Sequence, residues 1–246
     1  IRLNKEANAK KAQAHRVSGA EKALAEFEAT LPQQIEQWAG SITAEEFWTT
    51  WHPLNPQTVS VYNHAKGDIK LEKQPDGSVF AAGLSVAGHH VDYRIEATAP
   101  VVPITGVLLE TLPDERLGRF GPGANPRGDF VLTEISMEWS TGVAKKTAAK
   151  FIDAIADFNQ EGFDVKKAFN GNLDRSETAW SVGGASPGIP HLAAFKLEEP
   201  ISGEGEPVSL TIQLFHRYGN GGNAIGRFRL WVTNSADPLH FGLPAE

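Results

Sequence analysis

The sequence predicts a mainly β protein, a jelly-roll β-sandwich with an N-terminal α-helix. Three observations carry that prediction. After Pro53, short apolar or alternating runs recur about every ten residues, separated by Gly, Pro, Asn and Asp, with no helical pattern between them. Two of these runs, Tyr93-Arg-Ile-Glu-Ala-Thr and Phe228-Arg-Leu-Trp-Val-Thr, alternate polar and apolar residues as a half-buried strand does. Before Pro53 the chain is instead rich in Ala, Glu, Lys and Gln, all strong helix formers.

Residues 1–40 read as helix. Val17, Leu24, Phe27 and Leu31 fall on one stripe, which suits docking on a neighbouring domain or a partner rather than entry into a membrane. Six basic and four acidic residues stand among the first 31, so the acidic excess lies in the rest of the chain. Pro32 should break the helix or restart it at a first-turn position. Thr43 and Glu46 have capping-box spacing, which would carry a short helix to about Thr50. Residues 1–50 are thus expected to form a helical segment docked on a sandwich of residues 51–246.

The candidate strands are Thr58–His64, Asp68–Leu71, Ser78–Ala81, Asp92–Ala97, Ile104–Thr111, Asp129–Trp139, Ala148–Phe158, Ala179–Val182, Leu192–Leu197, Val208–Arg217 and Ala224–Thr233. Asp76-Gly77, Gly183-Gly184 and Asn220-Gly221-Gly222 mark turns. The longest irregular stretch, Pro113–Gly128, is rich in Gly, Pro and Arg, and a loop of that length is usually functional or mobile.

Composition narrows the function. The 246 residues are 41% hydrophobic, enough for one large β domain or two small ones. There is no cysteine, which removes disulfides, thiolate nucleophiles, Cys-ligated zinc, iron–sulfur clusters and covalent c-type haem. A net charge of −7 argues against a nucleic-acid binder. No apolar run approaches the ~20 residues that span a bilayer. The polar opening does not resemble a signal peptide, and Ile1 in place of Met reads as a segment of a longer or processed chain.

Catalytic signals are sparse. There is no phosphate-binding Gly-rich loop and no His-Glu-x-x-His. His89-His90 would point to opposite faces of a strand and cannot easily grip one metal. With 30 acidic residues, carboxylate pairs carry no information by themselves. A non-enzymatic role is therefore expected.

The stretch Ala168-Phe-Asn-Gly-Asn-Leu-Asp-Arg-Ser-Glu-Thr-Ala-Trp180 resembles the Ala-x-Asp-Gly-x-x-x-Thr-x-Trp loop of galactose-binding-like jelly rolls, such as discoidin domains and many carbohydrate-binding modules. In that family the loop wraps a structural calcium, a hard cation suited to oxygen ligands. The resemblance implies Asn170, Asp174 and Thr178 as Ca2+ ligands, with neutral Asn170 standing where the family usually has Asp. A plain Asn-Gly turn before a core Trp accounts for the same residues. Phe130-Val-Leu-Thr-Glu-Ile-Ser-Met resembles the last strand of such rolls and implies Glu134 as a fourth ligand, against a solvated strand residue. Because it precedes the Asn-Gly loop, the order reads as a permuted form of the sandwich.

A wider resemblance spans about residues 20–235. It joins Ile104-Thr-Gly-Val-Leu-Leu-Glu-Thr-Leu-Pro-Asp, Gly121-Pro-Gly, Gly128-Asp-Phe-Val-Leu-Thr-Glu, Ala156-Asp-Phe-Asn-Gln-Glu-Gly-Phe, Ala179-Trp-Ser-Val-Gly-Gly, Pro190-His-Leu-Ala-Ala-Phe and Gly226-Arg-Phe-Arg-Leu-Trp-Val-Thr. In this order they resemble the β-rich accessory domain of planctomycete-type multidomain cytochrome c proteins. Ala124 and Asp129 depart from an Arg and an Asn common in that family. The resemblance implies an extracytoplasmic accessory module, with haem on other domains and neighbouring domains as partners.

Glycan binding needs aromatic platforms and charged or amide hydrogen-bonding groups. Trp48 and Trp51 precede Pro53 and either pin the helix to the sheet or form a platform, whereas Trp180 and Trp231 read as core. Arg116, Arg119 and Arg127 lie in the long loop, where arginine suits bidentate capture of carboxylate or sulfate. The alternative is a solvated loop paired with Asp114, Glu115 and Asp129. His191, at a strand start, is either a ligand contact or structural. Trp51, Arg119, Arg127 and His191 are the candidate ligand contacts. The resulting expectation is a non-catalytic carbohydrate-binding-like module, for an anionic polysaccharide. The alternatives are a docking domain with no small ligand, or a polysaccharide hydrolase or lyase.

Overall fold

A computed structural model describes residues 2–41, 49–62, 69–83, 90–173, 179–219 and 221–239. The chain divides into two compact units, one holding the helix and the other spanning Thr49–Gly242. Thr43, Glu46, Trp48 and His89 lie outside the described residues.

Helix α1 runs from Arg2 to Ser41 and passes through Pro32. The expected break does not occur. An interior proline removes one backbone hydrogen bond, at a cost of about 3 kcal/mol, and the residues after it keep their own. Val17, Leu24, Phe27 and Ile35 are each about half exposed along it.

The second unit is a β-sandwich, with every paired strand antiparallel. Its strands are β1 (His52–Pro53), β2 (Thr58–Tyr62), β3 (Lys70–Lys73), β4 (Val79–Ala82), β5 (Val91–Thr98), β6 (Ile104–Thr111) and β7 (Val131–Leu132). There follow β8 (Glu134–Thr141), β9 (Thr147–Ala149), β10 (Phe151–Ala156), β11 (Trp180–Ser181), β12 (His191–Ile201), β13 (Val208–His216) and β14 (Arg227–Thr233). One sheet has the order β10-β12-β6-β14-β4-β3, with β1 beside β14; the other has the order β2-β5-β13-β8-β9. A small third sheet pairs β7 with β11.

Within these orders β4-β14-β6-β12 faces β5-β13-β8-β9, and the chain passes back and forth between the two sheets. That is the eight-stranded jelly roll, in chain order from β4 to β14. Strands β6, β10 and β13 end, and β8, β12 and β14 begin, at the same end of the sandwich. The long connections 112–130, 157–190 and 217–226 are therefore gathered there.

All eleven candidate strands have counterparts, with two corrections. Asp129–Trp139 is two strands, because the chain leaves β11 at Thr133 and joins the five-stranded sheet as β8; Thr133 N–H donates to Phe215 O. Ala148–Phe158 is also two: β9 pairs with β8, then the chain crosses to the other sheet as β10. At the first crossing the inward positions change parity, from Phe130 and Leu132 to Ile135 and Met137; at the second, Ala149 and Phe151 keep one parity, so nothing in the period-2 pattern marks it.

Inward residues alternate as the strands require. Phe228, Leu230 and Val232 of β14 meet Tyr93, Ile95, Leu210, Ile212 and Leu214 from the opposite sheet in one core. Tyr93 stacks on Phe228 at 5.8 Å, and its hydroxyl donates to Ile225 O at 2.8 Å. Trp180 is fully buried, its ring edge-on to Phe130 at 5.0 Å and its Nε1–H donating to Phe158 O. Trp231 is not core. It lies on the outward face of β14, under the Arg229 guanidinium at 4.9 Å, and donates Nε1–H to Glu110.

His216 closes β13 inside the core. Its ring lies 4.7 Å from Tyr93, Nδ1 donates to Val91 O, and Nε2 is buried with no hydrogen-bond partner. Burial holds its pKa down at about 4. An unfolded histidine takes a proton below about pH 6.5, and the folded one does not until pH nears 4. Stability from this group is complete above pH 6.5 and lost as pH falls through that window, by on the order of 3 kcal/mol. In urea unfolding at pH 7.5 and 4.5, His216→Phe should be less stable than wild type at the higher pH. It should lose less stability on acidification; an equal loss in both proteins would refute this account of His216.

Candidate functional site

The gathered loops enclose a cleft of about 720 Å³. Its shape comes from glycine. A Cβ on Gly118 would lie 2.3 Å from Asn125 O, one on Gly121 2.1 Å from Gly128 O, and one on Gly123 1.8 Å from Asp129 O. The two arms of the 113–128 loop therefore meet backbone to backbone. Gly123 N–H donates to Gly128 O and Gly128 N–H to Asn125 O. The loop is tied to the β13–β14 connection as well, through Ala124 N–H to Ala224 O and Gly226 N–H to Pro122 O. Asn125, itself buried, accepts Arg127 N–H on Oδ1.

This compact turn holds Arg119 and Phe120 in the left-handed region, at φ 48° and 55°. Such a conformation costs of order 1–3 kcal/mol per residue and is kept only when surrounding structure imposes it. Gly188 N–H donates to Phe120 O, which joins the 182–190 loop to the same turn.

Three of the four sequence-derived ligand candidates share this cleft: Arg119, Arg127 and His191 all line it. Arg119 has no ion-pair partner among the described residues, and Arg127 reaches Asp129 only at 3.9 Å. Of the loop arginines, Arg116 alone is fully paired, bidentate to Asp114 and stacked 3.6 Å over Phe80. Its hydrogen bonds hold the Asp114 carboxyl below the usual range. His191 is almost wholly buried, and its Nδ1 faces Asp157 at 3.0 Å. A carboxylate only accepts, so Nδ1 is the donor.

Trp51 lies elsewhere. It precedes β1, whose His52 pairs with Val232 at the far end of β14, roughly 20 Å along the strand from the cleft.

Sequence reasoning missed Asp129, Gln160, Phe163 and Tyr218, which also line the cleft. Phe163 and Tyr218 pack edge to face at 5.3 Å, an aromatic surface from two different loops. Burial raises the Asp129 pKa. Asp129 was read only as a partner for arginine, and nothing local distinguishes it among 30 acids. A Gly-x-Ser-x-Gly motif, taken as absent when the sequence is read for catalytic signals, is in fact present as Gly184-Ala-Ser-Pro-Gly188, with the spacing of a nucleophile elbow. The context is wrong for one: the segment joins β11 to β12 with no helix after it, and no hydrogen bond links Ser186 to His191 among the described residues.

Of the implied calcium ligands, Asp174 and Thr178 lie outside the described residues. Glu134 and Asn170 do meet. Glu134 Oε1 accepts Gly171 N–H at 3.0 Å, and Asn170 N–H also bonds the carboxylate. Asn170 Oδ1 accepts Asn172 N–H at 2.8 Å. Glu134 Oε2 is buried with no partner, and burial pushes the carboxyl pKa up to about 7. An acceptor-only oxygen in that state fits a bound cation or a proton. No group of three or more acidic, His or Cys side chains with metal-holding geometry occurs among the described residues.

No family model and no curated protein matches the chain. One solved structure is similar over 78% of this chain, with 12% sequence identity and a TM-score of 0.30. It is described as "Structural basis for the promiscuous specificity of the carbohydrate-binding modules from the beta-sandwich super family", and the match spans 62% of that chain's length.

The loop geometry makes a sharp demand on sequence. Gly123→Ala should destabilise the sandwich by about 3 kcal/mol, since backbone must move to admit the methyl group. Gly19→Ala, in open space inside α1, should not destabilise. Urea unfolding of both variants checks the contrast, and a Gly123→Ala protein as stable as wild type would contradict the close contact.

Proposed function

We propose that the chain is a non-catalytic carbohydrate-binding-like module whose glycan site is the loop cleft, and that its ligand is an anionic polysaccharide. The supporting observation is the convergence of Arg119, Arg127, His191 and the Phe163–Tyr218 surface on one opening. Arginine forks match carboxylate and sulfate, and aromatic rings pack against the apolar faces of sugars. Affinity gel electrophoresis over a panel with uronic-acid and sulfated polymers tests this. Retardation by an acidic polymer, reduced at least tenfold in affinity by Arg119→Ala plus Arg127→Ala, is expected, with no new reducing ends released. No retardation, or retardation indifferent to both arginines, would refute the reading.

A structural Ca2+ held by Glu134, Asn170, Asp174 and Thr178 forms part of the proposal, supported by the unpartnered Glu134 oxygen. A ligand bound only by the native state raises its stability. Chelator should lower the melting temperature of wild type and leave Glu134→Gln unmoved. An unchanged wild-type melting temperature would mean that a proton serves Oε2 instead.

A second reading, a docking domain without a small ligand, is favoured by the half-exposed Val17, Leu24, Phe27 and Ile35 of α1. Neighbouring domains of a larger exported protein would be the partners. No helix among the described residues is long and apolar enough to cross a membrane.

A further inference from the structure

We propose that Asp129 and Gln160 form a hydroxyl-reading subsite in the cleft floor, so that the ligand is a uronic-acid polymer recognised by a vicinal diol as well as by its carboxylates. This rests on the glycan-binding reading above and names the substrate class and its specificity contact.

The two side chains converge on one spot. A Cβ placed on Gly183 would lie 2.2 Å from Gln160 Oε1 and 3.2 Å from Asp129 Oδ2. Any larger residue at 183 would push them apart, so the absent side chain makes room for the pair. Gln160 is held from beneath. Ser181 Oγ accepts Gly183 N–H at 3.2 Å and donates its own hydrogen to Gln160 Oε1 at 2.8 Å. Gln160 N–H donates to Ser181 O, which anchors the residue further. The amide Nε2, with two hydrogens, has no partner among the described residues.

Asp129 supplies the complement. Its side chain is 19% exposed, and Arg127 at 3.9 Å is beyond charge-assisted hydrogen-bond range. Its carboxylate, bonded by its own backbone N–H, keeps further lone pairs as an acceptor at the cleft surface. A vicinal diol presents two O–H donors side by side and two acceptor oxygens. A carboxylate takes the two donors, and an amide NH2 serves the acceptors. Water satisfies the same groups in the free protein, so the subsite selects for hydroxyl geometry rather than for charge. Arg119 and Arg127 then carry the attraction for the sugar carboxylates. A neutral polymer lacks the charge, and a polymer sulfated at both hydroxyls lacks the donors.

The test turns on opposite signs. Asp129→Asn removes a negative charge beside an anionic ligand, so electrostatics alone would tighten binding. Loss of a charged acceptor from a diol would weaken it. The probes are polygalacturonate and the same polymer after periodate cleavage and borohydride reduction, which opens the ring diol and retains the carboxylates. Wild type should bind the intact polymer at least tenfold more tightly than the cleaved one. Asp129→Asn and Gly183→Ala should lose about tenfold on the intact polymer. On the cleaved polymer Gly183→Ala should match wild type and Asp129→Asn should bind at least as tightly, which is also the control for folding. Equal wild-type affinity for both polymers, or an Asp129→Asn variant that binds the intact polymer as tightly as wild type, would overturn the diol subsite. In that event dependence on Arg119 and Arg127 would leave the glycan reading standing. Failure of wild type to bind either polymer would overturn the diol subsite and its uronic-acid ligand, and silence across the whole panel would sink the glycan reading as well.

Discussion

The cleft exists because backbone touches backbone with nothing between. Gly118, Gly121 and Gly123 meet Asn125, Gly128 and Asp129 at distances that exclude even a methyl group. That contact folds the 113–128 loop back on itself and sets three side chains at once. Arg119 is thrown outward on a left-handed backbone, Arg127 leaves the turn that Asn125 caps, and Asp129 follows directly on the closing contact. The strain at Arg119 and Phe120 persists because the hydrogen bonds around them leave the chain no other course. A loop of this composition would otherwise be costly to order, and glycine is the residue that loses most freedom on ordering.

The jelly roll supplies the second constraint. Its strands alternate between sheets, so connections that are distant in sequence emerge at one end. Loop 113–128 is thereby set against the 182–190 loop and the β13–β14 connection. The short β7–β11 pair lies beneath them, fixed to the core by buried Trp180. The cleft side chains consequently stand beside a core that spans both sheets and includes Phe130, Trp180 and Ile225.

What was legible in the sequence follows from what is periodic. Strand alternation named every major strand, because one face of each must meet the core. It could not show where the chain changes sheets at Lys150, since Ala149 and Phe151 keep one parity across that crossing; at Thr133 the parity does shift, from Phe130 and Leu132 to Ile135 and Met137, but the run is short enough to read as one strand. Trp231 misled for a related reason. Strand position suggested burial, but its parity with Arg227 and Arg229 puts it outside, where Arg229 and Glu110 cover it. The places of Arg119, Arg127 and His191 were legible because a Gly/Pro-rich loop carrying several arginines, and a histidine at a strand start, are locally unusual. Asp129 and Gln160 were not, because their meeting depends on Gly183, more than 20 residues away from either.

Charge resolves into two scales. The chain carries −7, and its long-range field opposes a polyanion. The cleft rim carries two arginines, neither held in a close ion pair, while among the described residues the other arginines of sheet and loop are tied down: Arg94 on Glu96, Arg116 on Asp114, Arg217 on Asp92, Arg227 on Asp76 and Asp114, and Arg229 on Glu110. Neutralised pairs contribute little field beyond their neighbours, whereas Arg119 and Arg127 keep theirs. Physiological salt shortens the reach of charge to about 8 Å, which suppresses the general repulsion and spares short contacts inside the cleft. A protein of acidic composition can therefore hold an acidic polymer, provided that the attraction is concentrated in a few unpaired forks and the selectivity in hydrogen bonds.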